Sequence, residues 1–338
     1  MTRPTAAMRR AMADADVGDD YYEEDPTVRR LEEETADALG KEAALFTPTG
    51  CMGNEIAVAI QTRRGQSILL HRDSHLRLVE GDAVSGVMGR EYRPLEGDRG
   101  RLRPEDVTRT LADGGTDGIA LVEVENTQNW GSGAIYPVPA LEAIATAAHE
   151  RGIPVHLDGA RIWNASAATG IPSARYAAVA DTVMVCFSKG LGAPVGSALA
   201  GSADMVREAR GIRKTLGGGM RQVGIIAAGA LHGLRHHRDR LNEDHRRARA
   251  YAEAIAAIPG IRLDPAAIET NIVIAEIDPP HERVDAFVNA VRDQGVLITA
   301  FGGPGRFRAV THLDVDDSGI ERAIEAVRQA ARSVLGTA

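Results

Sequence analysis

An α/β fold with a mostly parallel sheet covered on both faces is what this sequence predicts, and three observations predict it. Continuous apolar runs of strand length recur through roughly the first 240 residues of the 338; they alternate with segments of helical periodicity; and several end in glycine-bearing turns. Glu32 to Leu39 reads as helix. Ala43-Ala-Leu-Phe-Thr reads as a strand entering the turn Pro48-Thr-Gly, with Asn54 to Ile60 helical beyond it. Ser67-Ile-Leu-Leu-His and Gly118-Ile-Ala-Leu-Val-Glu-Val are further strands. The helix Leu141 to Arg151 ends at Gly152 and is followed by the strand Ile153-Pro-Val-His-Leu-Asp. Thr182-Val-Met-Val-Cys-Phe and Gly196-Ser-Ala-Leu-Ala-Gly complete the larger set. Past about residue 240 the composition shifts. A basic stretch from His245 leads into a helix through Ile258, then Asn271-Ile-Val-Ile-Ala-Glu-Ile, a helix from His281 to Asp293, Val296-Leu-Ile-Thr and Phe307-Arg-Ala-Val-Thr-His form a smaller α+β unit. The expected domains are 1–242 and 243–338.

The bulk composition excludes several function classes. Lys+Arg 39 against Asp+Glu 47 gives a net charge of −8, and no basic run is interleaved with aromatics, so nucleic acid is not an expected partner. No apolar stretch reaches membrane-spanning length, and Met1-Thr-Arg-Pro does not begin a signal peptide. The two cysteines, Cys51 and Cys186, sit in apolar or glycine-rich segments, which predicts a reducing cytoplasm.

Three segments carry chemistry. Lys189 stands where an apolar strand ends in a polar turn, followed by Gly190, Gly192 and Gly196, a placement that suits an amine held for Schiff-base formation. Thr49-Gly-Cys-Met-Gly-Asn follows a strand and opens a helix, pointing exposed amides and a positive dipole end at any phosphate placed there. Asp158, in His156-Leu-Asp-Gly-Ala-Arg, falls at the carboxyl end of a strand, where open parallel sheets bind ligands, with Arg161 three residues on. Each has a structural alternative: a lysine snorkelling from a strand end, an ordinary strand-to-helix turn, an ion pair between Asp158 and Arg161. Together, phosphate amides, a carboxylate for a ring nitrogen and a Schiff-base lysine make a site for pyridoxal 5′-phosphate.

The motifs also carry a resemblance. Gly18-Asp-Asp-Tyr-Tyr-Glu-Glu-Asp-Pro-Thr-Val, Lys41-Glu-Ala-Ala-Leu-Phe, Thr49-Gly-Cys-Met-Gly-Asn, Glu125-Asn-Thr-Gln-Asn, His156-Leu-Asp-Gly-Ala-Arg-Ile-Trp-Asn, Ser188-Lys-Gly-Leu-Gly-Ala-Pro-Val-Gly-Ser and Gly217-Gly-Gly-Met-Arg-Gln resemble those of the low-specificity L-threonine aldolases. These are a branch of the β-eliminating lyase superfamily, pyridoxal-phosphate enzymes of fold type I. The resemblance implies cleavage of β-hydroxy-α-amino acids such as L-threonine or L-allo-threonine to glycine and an aldehyde. β-Elimination or transamination at the same cofactor, or a catalytically impaired cofactor-binding homologue, are the alternatives. It implies Lys189 as the Schiff-base lysine, Gly50 and Cys51 as phosphate amides, and Asp158 on the pyridine nitrogen. His75 is implied to stack on the ring and to be the candidate base for the β-hydroxyl proton, Arg161 to sit near the phenolic oxygen, and Arg308 to grip the substrate carboxylate. Lys214 and Arg221 match a loop that reaches a neighbouring subunit's phosphate, which implies a homo-oligomer, a dimer of dimers, with shared active sites.

The sequence departs from that pattern in three places. The Ser-Asp segment that precedes Thr-Arg-Pro-Thr in the family is absent, which predicts a true start upstream of Met1. Gln128 stands where the family has a histidine near the substrate hydroxyl, and an amide cannot act as a base near neutral pH. Glu23 replaces a usual glycine. The five acids among Gly18 to Asp25 lack calcium-loop spacing and read as a solvated or interface loop, while His232 and His236 lack the glutamate of a zinc motif and read, with His237, as a solvated helix face. No metal is expected. Trp130 and Trp163 read as packing residues, Trp130 standing beside Gln128 where it could wall a substrate pocket.

Overall fold

The computed structural model describes residues 2–112 and 118–337. It forms two compact units, Met1–Gly131 with Ile135–Asp239, and Ser132–Ala134 with Arg240–Ala338. Met1, on which the expectation of an upstream start falls, lies outside the described residues.

The larger unit holds β1 (Ala43–Thr47), β2 (Ser67–His71), β3 (Glu91–Leu95), β4 (Gly97–Asp98), β5 (Arg101–Leu102), β6 (Ile119–Glu125), β7 (Val155–Gly159), β8 (Thr182–Cys186) and β9 (Ser197–Gly201). Seven of these form one sheet in the order β1-β9-β8-β7-β6-β2-β3. Pairing is parallel from β8 through to β3, and only β9 runs against its neighbours. The expected α/β class with a mostly parallel sheet is therefore what the chain adopts. Strands β2, β7, β8 and β9 are buried at every residue, as a sheet covered on both faces requires. β3 carries no apolar run to announce it. It is an edge strand, mostly exposed, with Pro94 inside it, where a missing N–H costs no ladder bond.

Helix α1 (Ala6–Ala13) precedes α2 (Pro26–Leu39), which begins earlier than the apolar periodicity indicated. Asp25 caps α2 by accepting from the amides of Thr27 and Val28, Pro26 opens it, and Gly40 ends it at φ +62°. Helix α3 (Gly50–Gln61) is capped by Thr49, whose hydroxyl accepts from the Met52 amide. Of the strands that run one way, β1, β2, β6, β7 and β8 hand the chain at their carboxyl ends to Gly50, His75, Gln128, Arg161 and Lys189 respectively. This is the edge at which such sheets collect a ligand.

The smaller unit has an antiparallel sheet ordered β10-β11-β13-β12, from β10 (Ile261–Arg262), β11 (Ile272–Ile277), β12 (Thr299–Ala300) and β13 (Arg306–Val310). Of the expected strand Val296-Leu-Ile-Thr only Thr299 pairs, continuing into Ala300. Its core includes Tyr251, Ile277, Phe287 and Phe307, the two phenyl rings 5.1 Å apart. Ser132 belongs here: its hydroxyl donates to the Ile272 carbonyl and accepts from the Ile274 amide.

The acidic loop is not simply solvated. Asp20 and Asp25 are fully buried. Asp20 pairs with buried Arg213 at 2.8 Å, and Asp25 accepts from the Gly18 and Gly224 amides besides capping α2. His237 is also buried, its Nδ1 donating to the Leu191 carbonyl at 2.7 Å. Neither was visible as a polar segment because the groups that satisfy these side chains come from remote parts of the chain.

Candidate active site

A cavity of about 300 Å³ opens at the carboxyl edge of the large sheet, its wall including Gly50, Cys51, His75, Asp158, Ser188 and Lys189. The amides of Gly50 and Cys51 have no acceptor among the described residues, since an α-helix cannot satisfy its first turn internally. Met184 packs beneath them, and a Cβ on Gly53 would fall 2.8 Å from its Cγ. Opposite, Gly196 takes φ +115°, and a Cβ there would lie 2.5 Å from the Phe46 ring. Two of the glycines around the site are thus fixed by close packing.

Asp158 is buried and its carboxylate is anchored, Oδ1 accepting from the Ala160 amide at 2.9 Å and Oδ2 from Asn54 Nδ2 at 3.0 Å. Burial alone would raise its pKa. The charges of Lys189 and His75, with those two hydrogen bonds, more than offset it and hold the carboxyl below its ordinary value. The Lys189 amine has no hydrogen-bond or ion-pair partner among the described residues; only its backbone carbonyl is engaged, by the Gly192 amide. An amine in a cavity beside an anion kept ionised is the arrangement a Schiff-base lysine needs.

His75 begins the short helix α4 (His75–Leu78). Its amide donates to Glu125 Oε2 at 3.0 Å and its Nδ1 to Glu80 Oε1 at 2.7 Å. Burial pulls the imidazole pKa down, but the Glu80 bond and the charges of Asp158, Glu80 and Glu125 prevail and raise it. Glu125 is pushed up to about 7 by burial and by Asp158. Glu123, which takes the Ser74 hydroxyl at 2.8 Å, lies well above the carboxylate range for the same first reason. The region is therefore rich in acid but poor in full negative charge. His75, Glu80 and Asp158 present atoms within 4.8 Å of one another, the one His/Cys/Asp/Glu group of metal-binding spacing among the described residues.

The other expected residues are placed differently. Arg161 is half-buried and reaches Asn129 Oδ1 at 3.4 Å; no ion pair with Asp158 forms. Burial lowers its pKa, and Glu125, Cys186 and Asp158 support its charge. Gln128 is fully buried, its Nε2 donating to the Asp73 carbonyl and Glu125 Oε2 and its Oε1 accepting from the Gly131 amide. It braces the Glu125 loop, with no polar atom left over for a substrate. Lys214 donates to the Tyr21 hydroxyl at 2.6 Å and Arg221 pairs with Asp19 at 2.6 Å, both over the Tyr21 ring and neither on the cavity wall. Arg308 lies in the smaller unit, its guanidinium 3.9 Å from the Phe301 ring centroid. Trp130 stands with its ring 6.1 Å from that of His75. The thiol of Cys51 is pushed up to about 11 by burial and by Glu80 and Glu55, so the helix start does not activate it.

The beta-eliminating lyase family model matches residues 1–278. This chain belongs to that family. It is 38% identical over 337 residues to low-specificity L-threonine aldolase 1 of Arabidopsis thaliana, covering 98% of this chain and 94% of that one. To the low specificity L-threonine aldolase of Escherichia coli it is 36% identical over 329 residues, 93% and 92% of the two chains. Among solved structures, a Leishmania major threonine aldolase matches with TM-score 0.79 at 20% identity, over 97% of this chain and 96% of that one, and a Sphingomonas wittichii serine palmitoyltransferase with TM-score 0.77 at 18%, over 98% and 84%. Those likenesses show the fold, that of pyridoxal-phosphate enzymes of fold type I.

The beta-eliminating lyase site fits that cofactor on its own geometry. Two free amides at a helix start suit a phosphate, an ionised buried carboxylate suits a protonated ring nitrogen, and an unpartnered lysine suits an aldehyde carbon. Two site residues escaped the sequence reading. Asn54 stands beside Glu55 in α3, just before the apolar run Ile56 to Ile60, a polar group entering a buried helix face. Glu80 sits among Leu78, Val79, Gly81 and Asp82, where nothing local reveals that it is 3% exposed.

Proposed function

We propose that this chain is a pyridoxal-phosphate aldehyde-lyase that cleaves β-hydroxy-α-amino acids, L-threonine and L-allo-threonine among them, to glycine and an aldehyde. The observation that carries the reading is the convergence of Lys189, Asp158, His75 and the free amides of Gly50 and Cys51 on one cavity. The relatives named as L-threonine aldolases point to the same chemistry.

Gly50 and Cys51 would hold the cofactor phosphate, Lys189 its aldehyde carbon, and Asp158 the ring nitrogen's proton. When bound, the cofactor supplies an electron sink for the pair released as the Cα–Cβ bond breaks. His75 would take the β-hydroxyl proton at Nε2, the ring nitrogen that Glu80 leaves uncommitted. Arg161 would lie near the phenolic oxygen and Arg308 would grip the substrate carboxylate as a bidentate cation. Gln128 has its polar groups engaged within the chain, which supports proton handling by His75 or water rather than at that position.

Lys214 and Arg221, gathered at Tyr21 away from the cavity of their own chain, support a homo-oligomer, a dimer of dimers, in which they serve a neighbour's phosphate. The compartment proposed is the cytoplasm, in keeping with two free cysteines; among the described residues no helix is long and apolar enough to cross a membrane. Product analysis on L-threonine and L-allo-threonine tests the function. Glycine plus aldehyde in equal amounts is expected, and ammonia plus a keto acid would contradict it.

A further inference from the structure

Glu80 is buried and bound on one oxygen only. Its Oε1 faces His75 Nδ1 at 2.7 Å and Asn54 Nδ2 at 3.1 Å, while Oε2 has no hydrogen-bond partner. Asn54 Nδ2 also donates to Asp158 Oδ2 at 3.0 Å. Two carboxylates can be met only by the NH₂ end of an amide, so Asn54 Oδ1 must accept, and it does so from His156 Nε2 at 3.0 Å. Burial drives His156 down to about 4, so the ring is neutral, and its Nδ1 accepts from the Thr182 hydroxyl at 2.8 Å. Every proton in this chain of contacts therefore has one assignment. It terminates at the carboxyl groups of Asp158 and Glu80, which share the Asn54 amide; burial raises the pKa of Glu80, opposed by its bonds to His75 and Asn54.

We propose that Glu80 is a positioning residue for His75: its carboxylate accepts the Nδ1 proton's hydrogen bond, which turns Nε2 toward the cavity as the proton-accepting nitrogen, and Asn54 ties the pair to Asp158. This rests on the aldolase reading above. In the step it serves, the β-hydroxyl O–H bond breaks and an N–H bond forms at His75 Nε2. The resulting imidazolium is neutralised by Glu80, and the Nδ1 proton stays where it is. The groups facing the pair from the packed elements are Asp158 on β7, Glu123 and Glu125 on β6, Glu55 and Cys51 on α3, Tyr92 on β3, and Lys189. None of these is hydrogen-bonded to the His75 ring, whereas Glu80 is.

The test uses the cofactor-loaded enzyme, with ¹⁵N-labelled histidine and His75→Asn for assignment. In the wild type, neutral His75 should carry its proton on Nδ1, the minority tautomer of free imidazole. In Glu80→Gln its titration midpoint should fall, because an amide can accept the hydrogen bond but lends no charge. kcat/KM on L-allo-threonine should fall by roughly ten- to a hundredfold, with its acid limb moving to lower pH and the Schiff-base absorbance band retained. Glu80→Asp should restore most of the midpoint. An Nε2–H tautomer in the wild type, or a His75 midpoint unmoved in Glu80→Gln, overturns the proposal, and the tautomer needs no variant that folds. If the wild type cleaves neither amino acid the aldolase reading fails, while the tautomer and midpoint still decide the role of Glu80.

Discussion

Replacing Arg213 with methionine gives the sharpest test of what holds the acidic loop in place. Arg213 is 2% exposed, with Nη2 2.8 Å from Asp20 Oδ2 and Nη1 donating to the Phe46 carbonyl at 2.7 Å. Methionine keeps the volume and removes the charge, leaving Asp20, also 2% exposed, with Arg210 as its nearest cation at 4.0 Å. An orphaned buried carboxylate costs about 3–5 kcal/mol, roughly a 10 °C fall in the unfolding midpoint of the cofactor-free protein. The loss depends on pH with a definite sign. Burial already raises the Asp20 pKa against the opposing pull of Arg213, and without that pull it rises further. A carboxyl raised in the folded state costs nothing below its unfolded pKa, and the cost grows until pH passes the folded value. The deficit should thus be larger at pH 8 than at pH 5. Urea unfolding at both pH values measures it, and Asp20→Asn in the same chain should recover more than half the loss. A deficit below about 1 kcal/mol, or one equal at the two pH values, would refute the reasoning.

Three further outcomes are expected. Gly196→Ala should destabilise the protein by about 1–3 kcal/mol, because the added methyl meets the Phe46 ring 2.5 Å away at a φ of +115°; calorimetry would show it. Glu23→Gly should be neutral or stabilise by up to about 1 kcal/mol, since Glu23 sits in the left-handed region at φ 62° and its ion pair with Arg210, at 3.5 Å, is exposed on the glutamate side, while Arg210 keeps Glu32 at 3.0 Å. Alkylation of Cys51 in the folded protein should be slow at pH 8 and accelerate only toward pH 11, against fast reaction of the denatured chain, as a thiol pushed up to about 11 requires.

The sheet was legible because its inner strands, buried on both faces, must be written as unbroken apolar runs, as Leu69, Val183 and Leu199 illustrate. Edge strand β3 escaped because an edge needs no such run. Lys189, Asp158 and the Gly50 turn were legible as candidates because each falls at a strand's carboxyl end, the position the structure gives them. Glu80 was not, since its burial depends on Asn54 and His75 folding against it from other elements. Gln128 was expected near the substrate hydroxyl, but sequence could not show that Asp73, Glu125 and Gly131 would occupy its amide. The expectation of a glycine at position 23 has a physical reason in the left-handed turn that Glu23 occupies, which sequence alone could not show.

The most direct measurement on the central claim is the absorbance spectrum of purified protein supplied with pyridoxal 5′-phosphate, compared between wild type and Lys189→Ala. A Schiff-base band in the wild type that is absent from the variant, and that changes on adding glycine, is the predicted result. A wild type with no such band, or a variant that keeps it unchanged, would contradict the assignment of this cavity and of Lys189.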